Sequence, residues 1–264
     1  MIRYLAISGG GVRGIAFIGA LKQIWHKLDL IEIVGSSIGA FIAVLIAIGY
    51  MPDELYHIFL KLNLAKLENN NIFSIITEYG IDDGTNLLQF FKNVIKKKVS
   101  TQITFADLPT VSITTTNLTK YKVELYNYKT TPKMRILDAL RRSVAYPIKF
   151  TPVNINGEYF VDGGVLCPYP IQFLPNGPET IGLLIKDNYS IEITDFEMYL
   201  GSYIMMCMHE LEKNCLVGYE KQTITIDLSG HNSLNFNLGK KEKQEIYVKG
   251  QRCAALYIIR QLLH

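Results

Sequence analysis

Apolar positions along the chain follow two rhythms. Ile2–Ile7 is short and mostly apolar, the mark of a buried strand, and glycines break it at positions 9–11. Ile15, Ile18, Leu21 and Trp25 then recur every three or four residues, which predicts a helix over 14–27. Residues 30–34 read as a second strand, and an apolar helix begins at once at Ile38. Strand, helix, strand and helix within about 50 residues imply parallel strands joined by right-handed crossovers.

The middle of the chain alternates less regularly. Residues 52–62 predict a helix with proline in its first turn. Residues 87–99 predict an amphipathic helix, 110–116 and 122–126 a pair of strands, and 135–144 a helix that ends at Tyr146-Pro147. A short strand over 158–161 leads into Asp162-Gly163-Gly164, and 180–185 reads as another strand. The last part, 190–264, is helical over 196–217 and 240–263 with one strand at 223–228 between. No repeat or low-complexity linker divides the chain, so one α/β domain over 1–264 is the economical reading.

Composition narrows the class. The 264 residues are 48% hydrophobic and 19% charged, with a formal net charge of +3. A chain of this size buries enough surface to need no disulfide framework. So small a charge gives no support for a nucleic-acid partner. Cys167, Cys207, Cys215 and Cys253 form no C-x-x-C pair, and no histidine joins them at ligand spacing, so no metal is expected and the thiols read as reduced and cytoplasmic. The N-terminus lacks a signal peptide's long apolar core. The most apolar run, 38–48, is about eleven residues, whereas a membrane span needs roughly 20, so any membrane contact is expected to be peripheral.

Three motifs carry chemistry. Gly35-Ser36-Ser37-Ile38-Gly39 is G-x-S-x-G between an apolar strand and an apolar helix, the setting of a nucleophile elbow, with Ser37 central. A tight turn with a capping serine is the plainer alternative. Gly9-Gly10-Gly11-Val12-Arg13-Gly14 exposes several N–H groups between a strand and a helix, a nest for an anion. That anion is either the oxyanion of an acyl-transfer intermediate or a phosphate, since the spacing also fits G-x-G-x-x-G. A dinucleotide site wants an acid at the end of the second strand. The strand ends Val34-Gly35-Ser36, and Glu32 lies near its start, so the oxyanion reading fits better. No Lys-Ser or Lys-Thr makes the loop a P-loop. Asp162-Gly163-Gly164 puts a carboxylate on a glycine turn, which in isolation is also an ordinary turn.

Together these motifs resemble the patatin-like phospholipase family, over most of residues 2–172. The glycine loop is similar to the family's oxyanion motif, Gly-Ser-Ser-Ile-Gly to its elbow, and Asp-Gly-Gly to the motif of its catalytic aspartate. A fourth block, from Arg142 to Pro152, resembles the segment ahead of that aspartate. The resemblance implies a three-layer α/β/α sandwich with a mainly parallel sheet. It also implies a Ser37–Asp162 dyad, an oxyanion hole at Gly10, Gly11 and Val12, and cleavage of acyl esters in phospholipids or glycerolipids without a cofactor. Gly9, Arg13, Gly14, Gly35, Gly39, Gly163 and Gly164 support these motifs. The lipid substrate is expected at a membrane or micelle surface. The chain departs from the family pattern at Ser8, where many members have Asp, and at Leu166-Cys167-Pro168, where many have Asn. Neither change removes a catalytic group.

A Ser–His–Asp esterase is the competing enzyme, with His231 in a plausible loop as its candidate base. His209 falls within an apolar helical run and reads as a packed or surface helix residue. A lipid-binding module that keeps the fold without catalysis is the alternative from another class. In residues 87–99, Leu87, Leu88, Phe91, Val94 and Ile95 share one face, and Lys92, Lys96, Lys97 and Lys98 lie elsewhere. That face is expected in the core rather than on a lipid surface.

Overall fold

The computed structural model describes residues 1–69, 71, 73–186, 193–194, 196–229 and 238–263. Ten strands and eight α-helices are formed among them. Strand β1 (Ile2–Ile7) leads through a 3-10 turn at Gly11–Gly14 into α1 (Ile15–Ile24). Strand β2 (Leu28–Ser36) leads directly into α2 (Ile38–Ala47). Helices α3 (Pro52–Lys61), α4 (Ser74–Thr77) and α5 (Thr85–Ile95) follow, with strand β3 (Gly80–Asp82) ahead of α5. Then come β4 (Val111–Asn117), β5 (Lys122–Tyr126), α6 (Ile136–Ser143), β6 (Ile148–Phe150), β7 (Val153–Ile155) and β8 (Glu158–Asp162). The chain closes with β9 (Thr180–Lys186), α7 (Phe196–Leu216), β10 (Thr223–Asp227) and α8 (Lys240–Leu262).

The main sheet has eight strands in the order β10-β9-β1-β2-β4-β8-β7, with β5 on β4. From β10 to β4 every pairing is parallel, as the crossover rule expects of strands joined by helices. The pairings of β4 with β5, β4 with β8 and β8 with β7 are antiparallel. Two parallel pieces, β3 and β6, form a separate ribbon. Neither ribbon strand, nor β7, is legible as a periodic run, because each has three residues.

Strand alternation divides the core. Leu5, Ile7, Ile33, Leu183 and Ile185 point into a large cluster with residues of α1, α2, α3, α5, α6 and α8. Ala6, Val34 and Leu184 point the other way, onto Tyr169, Ile171 and Leu174, with Cys215 and Leu216 of α7 packed alongside. The layers are therefore unequal: helices cover one face deeply, and the end of α7 with a 3-10 turn at Pro170–Phe173 covers the other. The C-terminal helix is integral to the thick layer. Gly19 of α1 and Gly250 of α8 let the two backbones meet, since a Cβ on either would fall within 2.1 Å or less of a carbonyl oxygen of the other helix. The apolar face of α5 is in the core, with Leu87, Phe91, Val94 and Ile95 buried, as its pattern predicted.

Candidate functional site

The turn after β2 is held in an unusual backbone. Ser37 has φ 54° and ψ −126°, outside the regions a residue with a Cβ normally occupies. The Ser37 carbonyl accepts from the Ala40 N–H at 3.0 Å, so the strained residue also starts α2. Gly39 permits this. A Cβ there would lie 2.4 Å from the Ile7 carbonyl oxygen and 2.5 Å from that of Ser8. Strand β1 thus runs against the elbow too closely for any side chain.

Strand β4 works as a ruler for the site. Its first half pairs with β2, placing Thr114 opposite Ser36. Its second half pairs on the same side with β8, placing Thr115 opposite Asp162. The side is fixed because β5 occupies the other edge through both halves. The ends of β2 and β8 therefore meet head to head, one register step apart. Ser37 Oγ donates to Asp162 Oδ2 at 2.6 Å, across 125 positions of sequence. Gly163 fits where they meet, since a Cβ on it would lie 2.5 Å from the Thr114 carbonyl and 2.8 Å from Ser36 Oγ.

Asp162 is almost fully buried. Its Oδ1 accepts from the Gly164 N–H at 2.7 Å, so both oxygens are engaged. Burial pushes its pKa up from 3.8 to about 7, against the opposing pull of the Ser37 and Gly164 hydrogen bonds. The block from 142 to 152 ties the two strand ends together. Ser143 Oγ accepts from the Ser37 N–H at 2.9 Å, and the Ala145 carbonyl accepts from the Asp162 N–H at 2.9 Å.

The glycine turn lies beside the elbow. A Cβ on Gly9 would sit 3.6 Å from the Cβ of Ser37. The Gly9 N–H donates to the Pro168 carbonyl at 3.0 Å, which ties this turn to the segment after Asp162. The N–H groups of Gly10, Gly11 and Val12 have no acceptor among the described residues. Gly11, at φ 54°, needs its glycine. Arg13 is buried, and Gly14 packs against Ile38.

All of this opens on one cavity of about 980 Å³, counting its mouth. Gly9, Gly10, Gly11, Arg13, Ser37 and Asp162 line it, and the rest of the wall is largely apolar. Helix α7 forms one side with Met205, Met208, His209 and Glu212. His209 lies on a helix as its sequence implied, yet it faces the cavity, with Nδ1 3.9 Å from a Glu212 carboxylate oxygen. His231 lies outside the described residues. Among the described residues, no three His, Cys, Asp or Glu side chains come together as a metal cradle. The α7 side chains carry no motif. Their helical spacing is the one sequence signal they give.

The model of the patatin-like phospholipase family matches residues 5–174, which contain the elbow, the glycine turn and the aspartate. The chain belongs to the patatin-like phospholipase family. This family is one of lipid hydrolases. Protein R571 of Acanthamoeba polyphaga mimivirus is 29% identical across 100% of this chain and 96% of its own length. A probable lipid hydrolase, 463L of Invertebrate iridescent virus 6, is 33% identical over 64% of this chain and 61% of its own. The crystal structure of VipD from Legionella pneumophila shares the fold at TM-score 0.68 and 18% identity, over 98% of this chain and 67% of that one. The mixed, mostly parallel sheet flanked by helices is thus the patatin-like fold. Among the described residues, no helix is long and apolar enough to cross a membrane.

Proposed function

We propose that this chain is a serine lipid acyl hydrolase of phospholipase A type, with Ser37 as nucleophile and Asp162 as general base. The 2.6 Å Ser37–Asp162 hydrogen bond at the floor of an apolar cavity carries this reading. A serine hydroxyl is a weak nucleophile until a neighbouring base takes its proton. An ordinary aspartate is too acidic for that work, but a pKa of about 7 matches a base at neutral pH. As Oγ attacks the ester carbonyl, its proton passes to Asp162. The carbonyl oxygen becomes an oxyanion facing the N–H groups of Gly10, Gly11 and Val12. The intermediate collapses, and protonated Asp162 returns the proton to the departing alcohol. Water then cleaves the acyl-serine, with Asp162 again as base. The direct contact between serine and carboxylate favours a dyad over a triad with an intervening imidazole. The chain works peripherally at a membrane or micelle surface, on the cytoplasmic side.

A fluorophosphonate probe tests the proposal. The wild-type protein should be labelled at Ser37, and Ser37→Ala should lose both labelling and phospholipid hydrolysis while keeping its fold by circular dichroism. Labelling at another serine, or full hydrolysis by Ser37→Ala, refutes it. A protein that binds phospholipid vesicles but neither labels nor hydrolyses is the lipid-binding module instead.

A further inference from the structure

Two of the four cysteines meet where the end of α7 covers the sheet. Cys167 is buried in the segment that runs from Asp162 to the glycine turn. Its N–H donates to the Gly163 carbonyl at 2.9 Å, and the carbonyl of the next residue, Pro168, holds the Gly9 N–H. Cys215 is half-buried in the last turn of α7, the helix that walls the cavity with Met205, Met208, His209 and Glu212. The Cys167 thiol donates to the Cys215 sulfur. Gln172 Nε2 donates to Cys167 Sγ at 3.2 Å and also reaches Cys215, to which the Tyr169 N–H donates as well. Three donors therefore converge on one sulfur. Led by the Cys167 hydrogen bond, and against burial, they lower the Cys215 thiol from its usual 9.0 to about 7. The other two cysteines lie elsewhere: Cys207 is exposed, and Cys253 packs against the large core cluster on the opposite face of the sheet.

We propose that Cys167 and Cys215 are a peroxide-oxidisable pair whose disulfide clamps the end of α7 onto the loop after Asp162. The thiolate is the form that attacks a peroxide, and Cys215 is the more accessible sulfur of the two. Its sulfur attacks one peroxide oxygen, the O–O bond breaks, and the departing hydroxide takes up the proton that the Cys215 thiol gave up. Cys215 is then a sulfenic acid. The Cys167 sulfur attacks the Cys215 sulfur, the S–O bond breaks, and the Cys167 proton joins the leaving hydroxide as water. Two thiols have lost two electrons, and one peroxide has become two waters. A dithiol reductant reverses the change. A disulfide draws its sulfurs to about 2 Å, closer than hydrogen-bond contact, and Cys215 stands next to the end of α7, where a helix yields most easily. The clamp acts on the cavity through Met208. A Cβ on Gly164 would fall 2.6 Å from the Met208 terminal methyl, so this side chain lies against the turn after Asp162. A covalent tie about two turns further along the same helix holds that wall on the turn. A bulky substrate that has to push α7 aside then enters more slowly. This effect on entry rests on the acyl-hydrolase reading, and the disulfide itself does not.

The test treats the full chain with hydrogen peroxide, blocks the remaining thiols with iodoacetamide and maps the peptides by mass spectrometry. The wild type should give a Cys167–Cys215 cross-linked peptide that dithiothreitol abolishes, with Cys207 and Cys253 alkylated. Cys167→Ser should stop at a Cys215 sulfenic acid, trapped by dimedone, and Cys215→Ser should form no disulfide. If Cys167→Ser does not fold, Cys215→Ser decides alone. Amide hydrogen exchange over residues 205–216 should slow at least about fivefold in the oxidised wild type and not in peroxide-treated Cys215→Ser. Labelling of Ser37 by a long-chain fluorophosphonate should slow at least about fivefold on oxidation, and labelling by a small one less than about twofold. No disulfide, or one through Cys207 or Cys253, overturns the pair. Unchanged exchange over 205–216 in the disulfide-bonded protein overturns the clamp. Long-chain labelling that does not slow, or slows no more than the small probe's, overturns its hold on the cavity and leaves the hydrolase standing. A wild type that neither labels nor hydrolyses overturns the hydrolase reading, while the peptide map and the exchange still decide the disulfide.

Discussion

Raising the pH through neutrality should strengthen catalysis and weaken the fold, both through Asp162. Its pKa is 3.8 in an ordinary carboxyl and about 7 in the folded chain, with burial as the leading cause. Between those values the folded protein holds a proton that the unfolded chain has released. The unfolding free energy therefore falls as pH rises, by about 1.4 kcal/mol per pH unit. The loss reaches up to about 4 kcal/mol near pH 7 and stays there above it. Activity should run the other way, since the carboxylate is the proposed base. kcat/KM should rise by on the order of tenfold per pH unit below 7 and level off above. Asp162→Asn removes the titrating group and keeps an oxygen for the Gly164 N–H. It should be inactive, and its stability relative to wild type should improve by up to about 4 kcal/mol between pH 4 and pH 8. Urea unfolding of both proteins across this range measures the stability arm, and ester hydrolysis by the wild type measures the other. A wild-type kcat/KM that is flat from pH 5 to 8, or a stability difference that does not change with pH, refutes the reasoning.

Ser143→Ala leaves the half-buried Ser37 N–H without its 2.9 Å acceptor. It should cost about 1–3 kcal/mol in chemical unfolding and lower kcat more than it raises KM, because the elbow loosens. Gly39→Ala should be among the most damaging single changes. Its Cβ would press on the β1 carbonyls, and thermal melting should show a loss of several kcal/mol or no folded protein. His209→Ala should keep activity within about tenfold, because Ser37 already donates to Asp162. A loss of several hundred-fold in folded His209→Ala would mean that the cavity-facing imidazole does the base's work.

Local rules carried the sequence reading a long way. The short apolar run Ile2–Ile7 and the three-to-four spacing of Ile15, Ile18 and Leu21 are properties of neighbouring residues, and both elements formed. The elbow was legible because a strand, a G-x-S-x-G turn and a helix follow one another without a gap, and the positive φ of Ser37 is a local conformation. Strands β3, β6 and β7 were not legible, since three residues are too few for a period and their pairing partners lie far along the chain.

The sequence by itself thus determined the elements and the chemistry available at Ser37, Asp162 and the glycine turn. The tertiary structure alone decided how these act together. Ser37 and Asp162 meet because one edge of β4 takes β2 and then β8, a register that no local pattern encodes. The Asp162 carboxyl holds its proton up to about neutrality because chain from distant positions shields it from water. Met205, Met208, His209 and Glu212 join the cavity because α7 folds back across it. Periodicity and turn chemistry act between residues a few positions apart, whereas register, burial and the shape of a cavity depend on which distant segments pack together.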